Sequence, residues 1–152
     1  MINFKCKKFQ ELSLDELYAL MVMRQEVFIV EQDCVYLDAD NKDQGSWHLL
    51  GYEEPGVLVA YLRISPKGIS YDNYPSMGRV LTSKKVRRKG AGKELIAQAL
   101  IETDRFFPGE AIKISAQKYL LHFYQSFGFE TIGEEYLEDG IPHFAMIRKG
   151  DS

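Results

Sequence analysis

Positions 84–93 carry six cations, Lys84, Lys85, Arg87, Arg88, Lys89 and Lys93, with no acid among them, and Gly90, Ala91 and Gly92 interrupt the run. Glycines at a strand-to-helix turn let successive backbone N–H groups point into one concavity, and a helix N-terminus adds about half a positive charge. Cations ordinarily belong near helix C-termini, so Arg87, Arg88 and Lys89 stand in an unfavourable field unless an anion binds there. The stretch therefore reads as an anion cradle, the bland alternative being a solvated basic loop with a glycine turn. It is not a P-loop: Arg87 and Glu94 occupy the places where that motif needs Gly and Ser or Thr. A dinucleotide fingerprint fails as well, because only Gly90 and Gly92 are present.

The elements that must position this stretch are legible in the periodicity. Ile2, Phe4 and Cys6 alternate with polar residues as in a half-buried strand. Ser13-Leu14-Asp15-Glu16 fits a capping box, with Leu12 stapling onto Leu17, and opens a helix to about Phe28. Val30–Ser46 is acidic and aperiodic and reads as a long, partly ordered loop. Trp47–Glu53 and Val57–Ser65 form a hairpin around Glu54-Pro55-Gly56, and Gly78–Thr82 is a shorter strand. Apolar residues at helical spacing from Gly90 to Phe107 end at Pro108-Gly109. A strand over Ala111–Ala116, a helix over Tyr119–Phe127, and strands over Thr131–Tyr136 and His143–Arg148 complete the chain. The order β-α-β-β-β-α-β-α-β-β predicts an α/β (α+β) domain, a mixed sheet with helices on its faces.

Composition bounds the function from outside. At 152 residues and 17.5 kDa, positions 1–152 are expected to form one domain, and 45% apolar with 27% charged residues is ordinary for a soluble globular chain. The longest apolar runs, Ala19–Met23 and Val57–Leu62, fall far short of the ~20 residues that span a bilayer. No apolar leader opens the chain, so a cytoplasmic protein without a membrane partner is expected, with Cys6 and Cys34 as reduced thiols. No cysteine or histidine cluster calls for a metal. A net charge of −3 argues against a nucleic-acid partner, as does the lack of aromatics interleaved with the basic run. Acids gather at Asp33–Asp43 and Glu130–Asp139.

Arg87-Arg88-Lys89-Gly90-Ala91-Gly92 resembles the Arg-x-x-Gly-x-Gly pyrophosphate loop of the GNAT acyl-CoA-dependent N-acetyltransferases. Gln117, Tyr124 and Gly128-Phe129 stand at the spacings of that family's later motif. Val27–Gln32, Gly78-Arg79-Val80, Ala116-Gln117, Phe123–Phe129 and Glu138–His143 look like its ElaA-like subgroup. The resemblance implies the GNAT fold, a mixed, mostly antiparallel sheet splayed between its fourth and fifth strands, with acetyl-CoA in the gap. It further implies that backbone of Val80, Leu81 and Thr82 pairs with the pantetheine arm, that Arg87, Arg88, Lys89, Gly90, Ala91, Gly92 and Lys93 hold the pyrophosphate, and that Gln117 and Tyr124 also line the cofactor.

The implied chemistry is direct transfer of an acetyl group to a primary amine of a small molecule or peptide. Tyr124 matches the family's general acid, since a phenol of pKa ~10 stays protonated at neutral pH and can donate to a departing thiolate. Many members carry a glutamate base on a central strand, which Ala111–Ala116 lacks. His48, His143, Glu31 or a water chain remain as the base. The acidic stretches suit a cationic acceptor or are simply solvated, and Arg24 and Arg79 read as structural ion pairs or as binders of an acidic acceptor. A homodimer is the assembly expected by frequency. A non-catalytic acyl-CoA sensor is the alternative function, which loss of the tyrosine or the glycines would have favoured.

Overall fold

The computed structural model describes residues 2–87 and 89–150. Chain order is β1 (Asn3–Lys8), α1 (Leu14–Arg24), β2 (Trp47–Glu54), β3 (Val57–Ser65), β4 (Ser76–Thr82), α2 (Ala91–Phe106), β5 (Ile112–Gln117), α3 (Leu121–Gln125), β6 (Phe129–Glu138) and β7 (Ile141–Arg148). The seven strands make one sheet in the order β1-β2-β3-β4-β5-β7-β6, antiparallel throughout except where β4 runs parallel to β5. This is the predicted order of elements and the predicted mixed sheet.

Each sheet face is covered because the strands alternate. Leu49, Ala60, Leu62 and Ile64 face Leu95, Ile96 and Ala99 of α2, whereas Leu50 and Tyr61 face Leu20 and Met23 of α1. Ser13 caps α1: Glu16 N donates to Ser13 Oγ at 3.0 Å, and Ser13 N donates back to Glu16 Oε1 at 2.8 Å. The first helix runs past its expected end, since Gln25–Glu31 continues it as a π-helix. That wider turn, a feature common at functional sites, re-aims Phe28 and Glu31.

The acidic segment after α1 differs from the loosely ordered, solvated loop expected. Arg24, fully buried, donates from Nε to Asp38 Oδ2 and from Nη1 to Asp43 Oδ1, both at 2.6 Å, and from Nη2 to Asp38 O at 2.9 Å. Arg63 clasps Asp40 through Nη1 and Nη2, each at 2.9 Å, and reaches Asp43 Oδ1 at 2.9 Å. Three acids of the segment are thus consumed by arginines of α1 and β3, because a buried carboxylate must be paired.

Candidate functional site

The sheet opens where β4 and β5 part. They share one bridge, Ser76 with Lys113, and Lys113 N donates to Pro75 O at 3.0 Å; beyond it the strands diverge. A one-residue bulge sharpens the parting, since Tyr61 to Arg63 on β3 spans Leu81 to Gly78 on β4. Arg79 within it takes φ +51°, and the bulge exchanges faces: Met77 packs with α2, yet Leu81, four residues on, packs with α1. The gap is a cleft of about 550 Å³, lined by Gly78, Arg79 and Val80 on one side and Ile114, Ser115, Ala116 and Gln117 on the other, with Tyr124 and His143 in its wall.

Past the end of β4 the chain turns into α2. Val86, 2% exposed, packs with Val59 and Ala91, and Ser83 N donates to Val59 O at 2.7 Å, so the turn is pinned to β3. Gly90 caps α2 at φ +82°, where a Cβ would meet nothing within 4 Å. Backbone conformation rather than crowding therefore demands the glycine, and the space over the helix N-terminus is open. Lys84, Lys85, Lys89 and Lys93 are exposed around it. A Cβ on Gly92 would lie 3.7 Å from Phe123, so the cradle and the helix bearing Tyr124 pack together. An open helix N-terminus ringed by lysines suits an anion such as the pyrophosphate of a CoA ester.

Residues 13–149 match the family described as acetyltransferase (GNAT) domain. A UPF0039 protein of Synechocystis is 43% identical over 146 residues, 96% of this chain and 94% of that protein. The crystal structure of Escherichia coli ElaA superposes with a TM-score of 0.91 at 38% identity, covering 98% of this chain and all of that one (100%). A Pseudomonas aeruginosa acyl-CoA N-acyltransferase does so with a TM-score of 0.91 at 37% identity, covering 97% and 99%. The chain belongs to the GNAT acetyltransferase family. Its fold is the GNAT acyl-CoA N-acyltransferase fold, and its ElaA-like character extends over nearly the whole length.

In this GNAT chain the expected site residues fall into three groups. Val80, Gln117 and Tyr124 line the cleft; Leu81 is buried against α1, with Thr82 after it at the end of β4; Gly90, Ala91 and Gly92 form the helix start. Tyr124 is 6% exposed, no hydrogen bond reaches its hydroxyl among the described residues, and burial pushes its pKa upward. His143 joins Tyr124 in the cleft. Its Nδ1 donates to Ile141 O at 2.7 Å, the only partner there being an acceptor, and its Nε2 stands 3.3 Å from Glu138 Oε2.

His48 and Glu31 are not brought to that cleft. His48 is fully buried; Nε2 faces Asp43 O at 2.9 Å and so carries the proton, while Nδ1 accepts from Tyr61 Oη at 2.7 Å. Burial holds it neutral by lowering its pKa, and both nitrogens are spent. Glu31 pairs with the Arg87 guanidinium, with Nη2 3.2 Å from Oε2, and that hydrogen bond is the main cause of its lowered pKa. Both lie on a second groove beside the basic turn, lined also by Lys84, Lys85 and Leu58. Arg87 further donates from Nε to Thr82 O at 3.1 Å, so it braces the turn. Arg88 lies outside the described residues.

Sequence reasoning missed Ser115, Tyr136 and Glu138. Ser115 Oγ meets Tyr136 Oη and lies 3.3 Å from Glu138 Oε1, which joins these side chains to His143 at the far end of the cleft. They converge because β6 carries extra residues between Ile132 and Tyr136, with Gly133 at φ +73°. A glycine inside a strand pattern was the available signal for that bulge.

Proposed function

We propose that the protein transfers an acetyl group from acetyl-CoA to the primary amine of a small molecule or peptide. The observation that carries this reading is the cleft between β4 and β5 with Tyr124 and His143 in its wall, beside an open start of α2 that packs through Gly92 on Phe123 of the helix bearing Tyr124. Pyrophosphate sits over Gly90, Ala91 and Gly92 with Lys89 and Lys93 around it, and the pantetheine arm pairs along Val80–Thr82. The thioester then lies between the strands near Gln117. A neutral amine attacks the thioester carbonyl carbon, the C–N bond forms, and the C–S bond breaks.

Two protons move. Tyr124 donates its hydroxyl proton to the departing CoA thiolate; burial raises the phenol pKa and so keeps the proton on it until the thiolate forms. His143 takes the proton released by the amine at Nε2, because Nδ1 already donates to Ile141 O and leaves Nε2 as the lone pair. Glu138 stabilises the imidazolium so formed. Of the three base candidates, His143 alone shares the cleft with Tyr124.

The test is thiol release from acetyl-CoA with a panel of primary amines, with the acetylated product identified by mass. His143→Gln should lower kcat/KM for the amine by about 10²-fold, the low end for base catalysis, while the dissociation constant for CoA stays within about twofold. A parent-like rate in this variant assigns the proton to water instead.

A further inference from the structure

We propose that the acceptor amine also bears a carboxylate, and that Arg79 is the residue that binds it. This rests on the acyl-transfer reading above and names the class of its second substrate. Arg79 lines the cleft beside Phe28 and Tyr36, and Glu138 lines it beside Ser115 and His143.

Arg79 joins the acid cluster through Nε and keeps its two Nη groups for the cleft. Its guanidinium carbon lies 5.3 Å from the Phe28 ring centre and 5.5 Å from that of Tyr36, contacts that orient the plane while Nη1 and Nη2 make no hydrogen bond among the described residues. Nε is 3.0 Å from Asp38 Oδ1, but the two are misaligned and neither has a hydrogen-bond partner among the described residues. Nη2 is 4.0 Å from Asp40 Oδ2, an oxygen that already accepts from Arg63. Arg24 and Arg63, by contrast, spend their donors on the same acids. The side chain is 22% exposed, and it opens onto the cleft. Its backbone, at φ +51°, is strained for a residue with a Cβ, a conformation that persists where surrounding structure imposes it.

Arg79 is the arginine of this cluster that turns donors to the cleft: Arg24 and Arg63 hydrogen-bond Asp38, Asp40 and Asp43, whereas the Arg79 Nη groups make no hydrogen bond among the described residues. Elsewhere in the cleft wall, Glu138 Oε2 stands 3.3 Å from His143 Nε2, so a carboxylate and an imidazole face the cleft together, a setting that suits an ammonium. An acceptor held there as the ammonium loses one proton to solvent before attack, and the proton released on attack goes to His143 Nε2. The cleft thus takes an ammonium beside Glu138 and an anion at Arg79. A diamine would set its second charge against Arg79, and a plain alkylamine would leave the planar N–H fork unused. An amino acid or short ω-amino carboxylate satisfies both, with the carboxylate bidentate on the guanidinium.

The experiment compares the common L-amino acids, β-alanine and 4-aminobutyrate with their carboxamides, and with putrescine. Binding to the CoA-loaded protein is read by calorimetry and turnover by thiol release. Carboxylates should bind at least about tenfold more tightly than the matched amides and be acetylated with a kcat/KM at least about tenfold higher, as one charge-assisted hydrogen bond implies. Arg79→Gln should bring that ratio to within about twofold by raising KM for the carboxylates, and Arg79→Lys should retain part of it. Amides or putrescine serving as well as carboxylates would overturn the proposal while leaving acyl transfer intact. Selective carboxylate binding without turnover would support it and count against acyl transfer. Absence of binding by every carboxylate overturns it. Should Arg79→Gln not fold, the wild-type ratio and Arg79→Lys still decide.

Discussion

Two histidines of the same chain illustrate how environment, rather than residue type, assigns a role. His48 shares a face with Leu50 on β2 and looks into the α1 side of the core, where Tyr61 and the Asp43 carbonyl use both its nitrogens. His143 sits opposite Gln117 on the strand that borders the gap and keeps one nitrogen turned toward Glu138. Alternation alone allowed either histidine to face the cleft, and the sheet order decides between them. Tyr124 is the converse case: its burial beside Phe123 and Phe129 is that of a core residue, yet its hydroxyl has no partner among the described residues and opens on the cleft. A buried phenol is expected to have a hydrogen-bond partner, so a hydroxyl free of protein contacts points to one supplied by substrate. Tyr124→Phe keeps the ring and its edge contacts and removes only the proton donor. Turnover should fall by about 10²-fold with CoA affinity nearly intact, as steady-state kinetics paired with calorimetry would register. Equal losses in CoA binding would instead make the hydroxyl a ligand of the cofactor.

At the scale of elements, the basic turn was legible because its signals are local: glycine spacing, cation density and the periodicity of α2 all fall within one stretch. Bulges were not, since a bulge is a relation between two strands. Nothing in Gly78-Arg79-Val80 by itself says that Arg79 takes φ +51° or that Met77 and Leu81 pack on opposite faces. The same holds for β6, where the extra residues before Tyr136 carry Glu138 to the cleft. Gly90 provides the sharpest test of the cradle. At φ +82° an alanine costs about 1 kcal/mol of backbone strain, and its methyl would project into the open space above α2. Gly90→Ala should therefore lower stability by about that amount and also weaken CoA binding about tenfold, through loss of an aligned amide. Gly68 supplies the control, since it too has positive φ, +91°, with nothing within 4 Å of its Cβ position, and lies outside the cleft. Gly68→Ala should show the strain alone, and comparable loss of CoA affinity in both variants would detach Gly90 from the cradle.

Across the whole molecule, the arginines and acids on the α1 face of the sheet form the support from which the cleft is hung. Arg24 comes from the first helix, Arg63 from a central strand, Arg79 from the bulge, and Asp38, Asp40 and Asp43 from the segment that covers them. The sequence shows the acids as a cluster and the arginines as scattered, because the partners lie 14 to 41 residues apart along the chain and only the fold unites them. Asp43 is the centre, accepting from Arg24 at 2.6 Å and from Arg63 at 2.9 Å while its carbonyl holds His48. Asp43→Asn leaves two buried guanidiniums short of a charge and should cost about 3 kcal/mol or more, the scale for breaking a buried pair. Acid should act in the same way. Burial would raise the Asp40 and Asp43 carboxyls, but the hydrogen bonds and charge of Arg63 and Arg24 outweigh it and lower both, Asp40 to about 2. A carboxyl depressed in the folded state lends its full stability above the unfolded pKa of ~3.9 and loses it as pH falls through the folded value. His48 adds an earlier step: kept neutral by burial, it resists a proton that the unfolded chain accepts below pH ~6.5. Urea unfolding across pH should therefore show a first decline setting in below ~6.5 and a steeper one from ~4 toward 2. In Asp43→Asn the acid decline should be shallower and start from a lower plateau, and a wild-type slope in that variant would remove the network as the seat of the acid sensitivity.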